Sequence, residues 1–159
     1  MLTTQIKVKK SNDQQTKLIV QSGSNFSLCA DNVFLQKNQK WENKEVNCVA
    51  IDGIIIEVSE IHHLLELASE TKEPFVIFAR EFSPEVRQTI THNFLRQTLN
   101  VVPVCVPIDE ESLNRLVDVA VVCGVDVISS QKGETISASV SRGIKKVDKI
   151  LIDKKGVTI

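Results

Sequence analysis

IIIEVSEIHHLLELASETKEPFVIFAREFSPEVRQTITHNFLRQTLNVVPVCV, residues 54–106, decides the fold. It holds three short apolar runs, at 54–56, 75–79 and 101–106, rich in β-branched residues and unbroken by polar alternation. Strands covered on both faces read this way, usually in a parallel sheet. Two helical patterns lie between the runs, so the order is strand, helix, strand, helix, strand. The expectation is an α/β fold on a parallel sheet with strands at 54–58, 75–79, 101–106 and 125–129, flanked by helices and carrying additional β-hairpins.

The first helix is expected to open at Ser59, a good N-cap, with Glu60 in its first turn. Ile61, Leu64, Leu65 and Ala68 share one face, and His62, Glu66 and Ser69 lie beside it. Lys72 and Pro74 end the helix. The second opens at Ser83 with Pro84 at the first helical position. Val86, Ile90 and Phe94 form its inward stripe; Arg87, Gln88, Thr91, His92 and Leu95 point away. A third is expected from Asp109, burying Leu113, Leu116, Val117 and Ala120 and stopping at Gly124.

Outward from this unit the signals weaken. Residues 6–9 and 17–21 alternate, with turn chemistry at 11–13, which predicts a β-hairpin. Gly23 is a candidate hinge. Residues 25–46 read as loop, with Trp41 a partly exposed anchor over the core edge. Residues 135–141 and 148–152 read as strands. Lys154-Lys155-Gly156 turns into a final Val157-Thr158-Ile159.

Length and composition bound the function. The chain has 159 residues, 42 % hydrophobic and 25 % charged, which is enough for one globular domain with a real core. A net charge of −1 without a basic stripe argues against nucleic acid. No apolar run approaches the ~20 residues of a membrane span, and residues 1–15 lack the apolar core of a signal peptide. The four cysteines show no CxxC spacing, and buried, reduced thiols in a cytoplasmic protein are expected.

Chemistry is mostly absent. Glu57-Val58-Ser59 stands where a dinucleotide fingerprint would follow the first strand. There is no phosphate loop, nucleophile elbow or HExxH. Asp109, Glu110 and Glu111 read as a helix start. His62 and His92 are placed to face one groove, but no third ligand at metal-site spacing accompanies them. No cofactor, metal or catalytic residue is expected.

The pattern of these segments resembles the apical, polypeptide-binding domain of the GroEL-type (group I) chaperonins. The clearest part runs without a gap. It takes in the first helix, Lys72-Glu73-Pro74-Phe75-Val76-Ile77-Phe78-Ala79, the second helix with Asn93-Phe94-Leu95-Arg96, and the strand ending at Pro107. Val127-Ile128-Ser129 and residues 148–154 continue the likeness, and Leu18, Val20, Gly23 and Phe26 resemble the strand and hinge entering the domain. Residues 1–22 then correspond to the edge of the family's intermediate domain and 23–159 to an apical-like domain. The family's glycine-rich loop is replaced by Ile108-Asp109-Glu110-Glu111, and neither its ATP-binding domain nor its last apical helices have a counterpart in this sequence.

The resemblance implies that a non-native or specific polypeptide, or a co-chaperonin, binds between the two helices. The residues at those places are Phe34, Leu35, His62, Leu65, Arg87, Thr91 and His92. Leu65, Phe34 and Leu35 keep the apolar character; the other four do not. Full burial of a Leu or Val is worth about 1.5–3 kcal/mol, so at half value four polar replacements remove roughly 3–6 kcal/mol from contact with an apolar peptide. Such a surface suits a narrower, more polar partner set, and its histidines make it responsive to pH. Two functions follow as expectations: the substrate-binding domain of a divergent chaperonin, or a specialised interaction module that keeps the fold without general folding activity. The isolated chain is expected to be monomeric, because no helix shows a spare apolar stripe, and to leave ATP alone.

Overall fold

The computed structural model describes residues 22–35, 38–108, 114–129 and 133–159, with isolated positions before residue 22. Most of the expected N-terminal hairpin, and the acidic run Asp109-Glu110-Glu111 with Leu113, lie outside the described residues.

The fold is mixed α/β, and its central strand is not the isoleucine run. One long strand, β2 (Lys40–Ile55), begins in the stretch read as loop. Residues 46–51 of β2 are all buried, whereas Ile54 and Ile56 are 53 % and 62 % exposed. The expected strand at 54–58 is therefore displaced: Ile55 alone of the triplet enters the core, and Val58 belongs to a 3₁₀ turn (Val58–Ile61). Helix α1 (His62–Thr71), strand β3 (Phe75–Phe82), helix α2 (Pro84–Leu95) and strand β4 (Val101–Cys105) follow as the periodicity predicts.

The sheet is mixed rather than parallel. A short β1 (Asn25–Phe26) precedes β2. After β4 come α3 (Arg115–Cys123), β5 (Val127–Ser129), α4 (Ile136–Ser141), β6 (Lys146–Asp153) and β7 (Gly156–Thr158). The strand order is β1-β7-β6-β2-β3-β4, with β5 also paired to β2. The second half of β2 runs parallel to β3 (Asn47 opposite Phe75) and to β5 (Ala50 opposite Val127). Its first half pairs antiparallel with β6, Trp41 opposite Ile152. Thus 40–46 is strand, and Trp41 is core at 2 % exposure. The β6–β7 hairpin matches the expected turn. At Gly156 φ is +146° and an added Cβ would strike the Phe26 carbonyl, so only glycine lets β1 close over the hairpin.

β2, β3 and β4 are parallel and lie side by side in chain order. Right-handed crossovers in one direction put α1 and α2 on the same face of the sheet. The connection through α3 runs back past β2 to β5, so α3 covers the opposite face, touching β2 and β5.

Local chemistry sets these helices. Glu57, not Ser59, caps the turn before α1, and Glu60 reaches back to the Ile56 and Glu57 amides at 2.8 Å each, a capping box. Ser83 caps α2: its Oγ accepts from the Val86 amide at 3.3 Å and donates to the Ile56 carbonyl at 2.6 Å, tying the helix start to the end of β2. Val86, Ile90 and Phe94 are buried, each worth about 1.5–3 kcal/mol.

Two further expectations change. Residues 135–141 form α4 rather than a strand, because the Thr135 hydroxyl accepts from the Ala138 amide and starts a helix. In α3, Leu116, Val119 and Ala120 are buried, but Val117 is exposed together with Val121 (72 %) and Val122. The premise that no helix keeps a spare apolar stripe does not hold for α3. Among the described residues no helix is long and apolar enough to cross a membrane.

Candidate functional site: the outward face of α1 and α2

The two helices present different chemistry. On α1, His62 is exposed and its Nε2 lies 3.0 Å from Glu66 Oε1; His63 Nδ1 lies 3.5 Å from the other Glu66 oxygen. One carboxylate thus sits between two imidazoles one helical turn before it. Leu65 faces inward and is buried. It supports the helix and offers a partner almost nothing.

Phe34 is likewise buried, edge-on to Phe94 of α2 with ring centroids 4.9 Å apart. This contact anchors the 3₁₀ turn Asn32–Phe34 to α2. Leu35, next in sequence, is half-buried against the core. Of the three expected apolar anchors, two are therefore structural.

On α2, Arg87 does not stand free. Its Nη1 donates to both Asp31 oxygens at 3.1 and 3.2 Å, Nε to the Phe82 carbonyl at 3.2 Å, and Nη2 to Cys105 Sγ at 2.9 Å. The guanidinium joins the segment before β2, the end of β3 and the end of β4. Burial pushes the Cys105 thiol up from its ordinary value, with Arg87 pulling the other way. Thr91 is half-buried, and exposed His92 lies 3.4 Å from Arg96 Nη1.

Leu95 is the apolar residue that the expected site lacks. It is 62 % exposed and follows Gln88, Thr91 and His92 on one stripe of α2, at i, i+3, i+4 and i+7. The spacing was legible in the sequence; the missing signal was that Phe34 and Leu65 would be consumed by the core and leave Leu95 as the exposed anchor. The α2 stripe thus combines His92, Thr91 and Leu95, with Arg87 held at its edge, and α1 presents exposed His62.

Of two concavities, the first borders the α1 side of this face and the second lies away from it. One of about 250 Å³ opens between α1 and α4, lined by His63, Glu66, Glu70 and Ser137 among others. One of about 120 Å³ lies where β2 and β5 meet the turn after α4, lined in part by Cys48, Asp126 and Arg142. Among the described residues no three His, Cys, Asp or Glu side chains converge as metal ligands. No protein-family model matches the chain.

Proposed function

We propose that this chain is a polypeptide-binding domain of the chaperonin apical kind, holding an extended or non-native polypeptide against the outward face of α1 and α2. The observation that carries the reading is topological. Two consecutive crossovers over a parallel β2-β3-β4 unit put α1 and α2 on one face of the sheet, and both helices keep outward residues that the core does not use. That is the arrangement the sequence resemblance calls for. The binding energy comes from Leu95 and from polar contacts by His62, Thr91 and His92. The chain contributes recognition; ATP-driven work would belong to another domain.

A second reading is favoured by the burial of Phe34 and Leu65 and by the internal pairing of Arg87. With so little exposed apolar surface, the face suits one dedicated partner better than unfolded chains in general. A single experiment separates the readings. A permanently unfolded reporter protein and a panel of acidic, neutral and basic peptides are titrated against the chain by fluorescence anisotropy. Binding of the unfolded reporter supports the chaperone reading, and selective binding of one peptide class supports the dedicated module. In either case the uncharged truncations Leu95→Ser and His92→Ala weaken it about tenfold or more. Binding that both variants leave intact would remove the site from this face.

A further inference from the structure

Cys29 and Cys105 are distant in sequence but lie opposite each other in an antiparallel β-bridge. Directly opposed residues in such a pair have Cα atoms about 4.5–5.5 Å apart and side chains on the same side. A disulfide needs a Cα separation of about 4.4–6.8 Å. The backbone is therefore already placed for a bond. Both residues are thiols here, Cys29 exposed and Cys105 half-buried. The Arg87 guanidinium touches the Cys105 sulfur at 2.9 Å and is itself held by Asp31, two residues after Cys29.

We propose that Cys29 and Cys105 are a thiol–disulfide pair that closes on exposure to a low-molecular-weight disulfide of the glutathione class. Cys29, open to solvent, attacks first as its thiolate. A bond forms between its sulfur and one glutathione sulfur, the glutathione disulfide breaks, and the departing thiolate takes a proton from water. Cys105 then gives its proton to water and attacks the Cys29 sulfur, forming the internal bond and releasing the second glutathione. Two protein thiols lose two electrons in all, and one glutathione disulfide gains them as two thiols.

Arg87 has a defined part in the second step. Burial disfavours the Cys105 thiolate, and the guanidinium at 2.9 Å offsets that cost as the thiolate forms. The other two cysteines serve as an internal control. Cys48 and Cys123 are buried together, and the Cys123 thiol, followed by burial, pushes Cys48 far above the ordinary thiol range. Burial denies both of them access to the oxidant, and Cys48 is denied thiolate character as well. Closure would fasten the segment bearing Phe34 to β4, the edge strand of the sheet. The inference is independent of what binds at α1 and α2.

The test uses the whole chain, dilute and native, equilibrated with mixtures of oxidised and reduced glutathione. Free thiols are alkylated and the peptides mapped by mass spectrometry without reduction. The expected result is joint loss of the Cys29 and Cys105 thiols, a peptide pair linked between them, a monomeric product, and Cys48 and Cys123 still alkylated after unfolding. Cys29→Ser, at an exposed position that leaves the fold intact, abolishes the link; in Cys105→Ser the glutathione stays on Cys29. Arg87→Gln slows closure several-fold without slowing the first uptake of glutathione. The proposal is overturned if wild-type chain keeps glutathione on Cys29 beside a Cys105 thiol, if Cys29 joins two chains instead, or if all four thiols persist.

Discussion

Trp41 donates its indole N–H to the side-chain oxygen of Asn100 at 3.0 Å, linking the antiparallel half of β2 to the turn before β4. The indole is 2 % exposed, so its N–H has little access to water as an alternative partner. Removing the acceptor leaves a buried donor unpaired, which costs about 1–3 kcal/mol. Asn100→Ala is therefore expected to lower the urea midpoint with an unchanged m-value. Trp41 is the one tryptophan in the chain, and its emission is expected to be that of a dry indole and to shift red with the same midpoint. A variant within about 0.3 kcal/mol of wild type would mean that this hydrogen bond contributes no net stability.

Trp41 also shows why part of the fold escaped the sequence. An edge-to-core strand should alternate, but residues 41–46 run buried, exposed, half-buried, exposed, exposed, buried. Glu45 sits at φ +50°, which breaks the period of two before Val46 re-enters the core. The isoleucine triplet misled for the opposite reason: three apolar residues at a strand end cannot all face inward. α1 and α2 were legible because their 3.6-residue periodicity and the caps and breakers around them agreed. In the candidate site, helix membership of His62, Arg87, Thr91 and His92 could be read directly. The burial of Phe34 could not, because it depends on Phe94, sixty positions away in sequence and in contact only after folding.

The end of α2 offers a local test. The Gln97 amide bonds the Phe94 carbonyl at 2.9 Å and the Thr98 amide bonds the Asn93 carbonyl at 3.0 Å, the two bonds of a Schellman motif. The motif puts Gln97 at φ +58°, where glycine is the usual occupant. A side chain there costs about 1–2 kcal/mol, partly offset because glycine also loosens the unfolded chain by about 0.4–1 kcal/mol. Gln97→Gly is expected to stabilise by roughly 0.5 kcal/mol, and Gln97→Val to destabilise by about 1 kcal/mol or more. Melting temperatures ordered the other way would show that the cap does not govern this end.

Acid stability has a readable contribution. Hydrogen bonds and charge from Lys149, then Lys40, lower the Glu42 carboxyl from 4.5 to about 2. Lys146, then Asn47, likewise lower Glu73. A carboxylate depressed in the folded state contributes its stability in full above its unfolded value and loses it as pH falls through the folded one. Melting temperature is expected to fall as pH drops from about 4.5 toward 2. Glu42→Gln is expected to flatten that dependence. Both carboxylates are solvent-facing, so 1 M salt is expected to flatten it too. A wild-type slope unchanged by Glu42→Gln would assign the acid sensitivity elsewhere.

Arg87 is the residue on which stability and binding must be separated. As an outward polar residue of the sequence pattern, Arg87 predicts that Arg87→Leu with Thr91→Val raises capture of unfolded protein and changes stability by no more than about 0.5 kcal/mol. The geometry changes the second half of that expectation. Replacing Arg87 strips hydrogen bonds from Asp31, the Phe82 carbonyl and Cys105. The side chain is a third exposed, so solvent screens part of the loss, and Arg87→Leu is expected to cost about 1–2 kcal/mol. A double-mutant cycle with Asp31→Asn is expected to return a coupling of about 0.5–1 kcal/mol. Thr91→Val touches none of these partners and is expected to stay within about 0.5 kcal/mol of wild type. It is therefore the cleaner probe of the face: a rise in capture by Thr91→Val, at unchanged midpoint, reports added apolar contact. A rise confined to Arg87→Leu reports loosening of the 3₁₀ turn that Phe34 and Asp31 hold against α2.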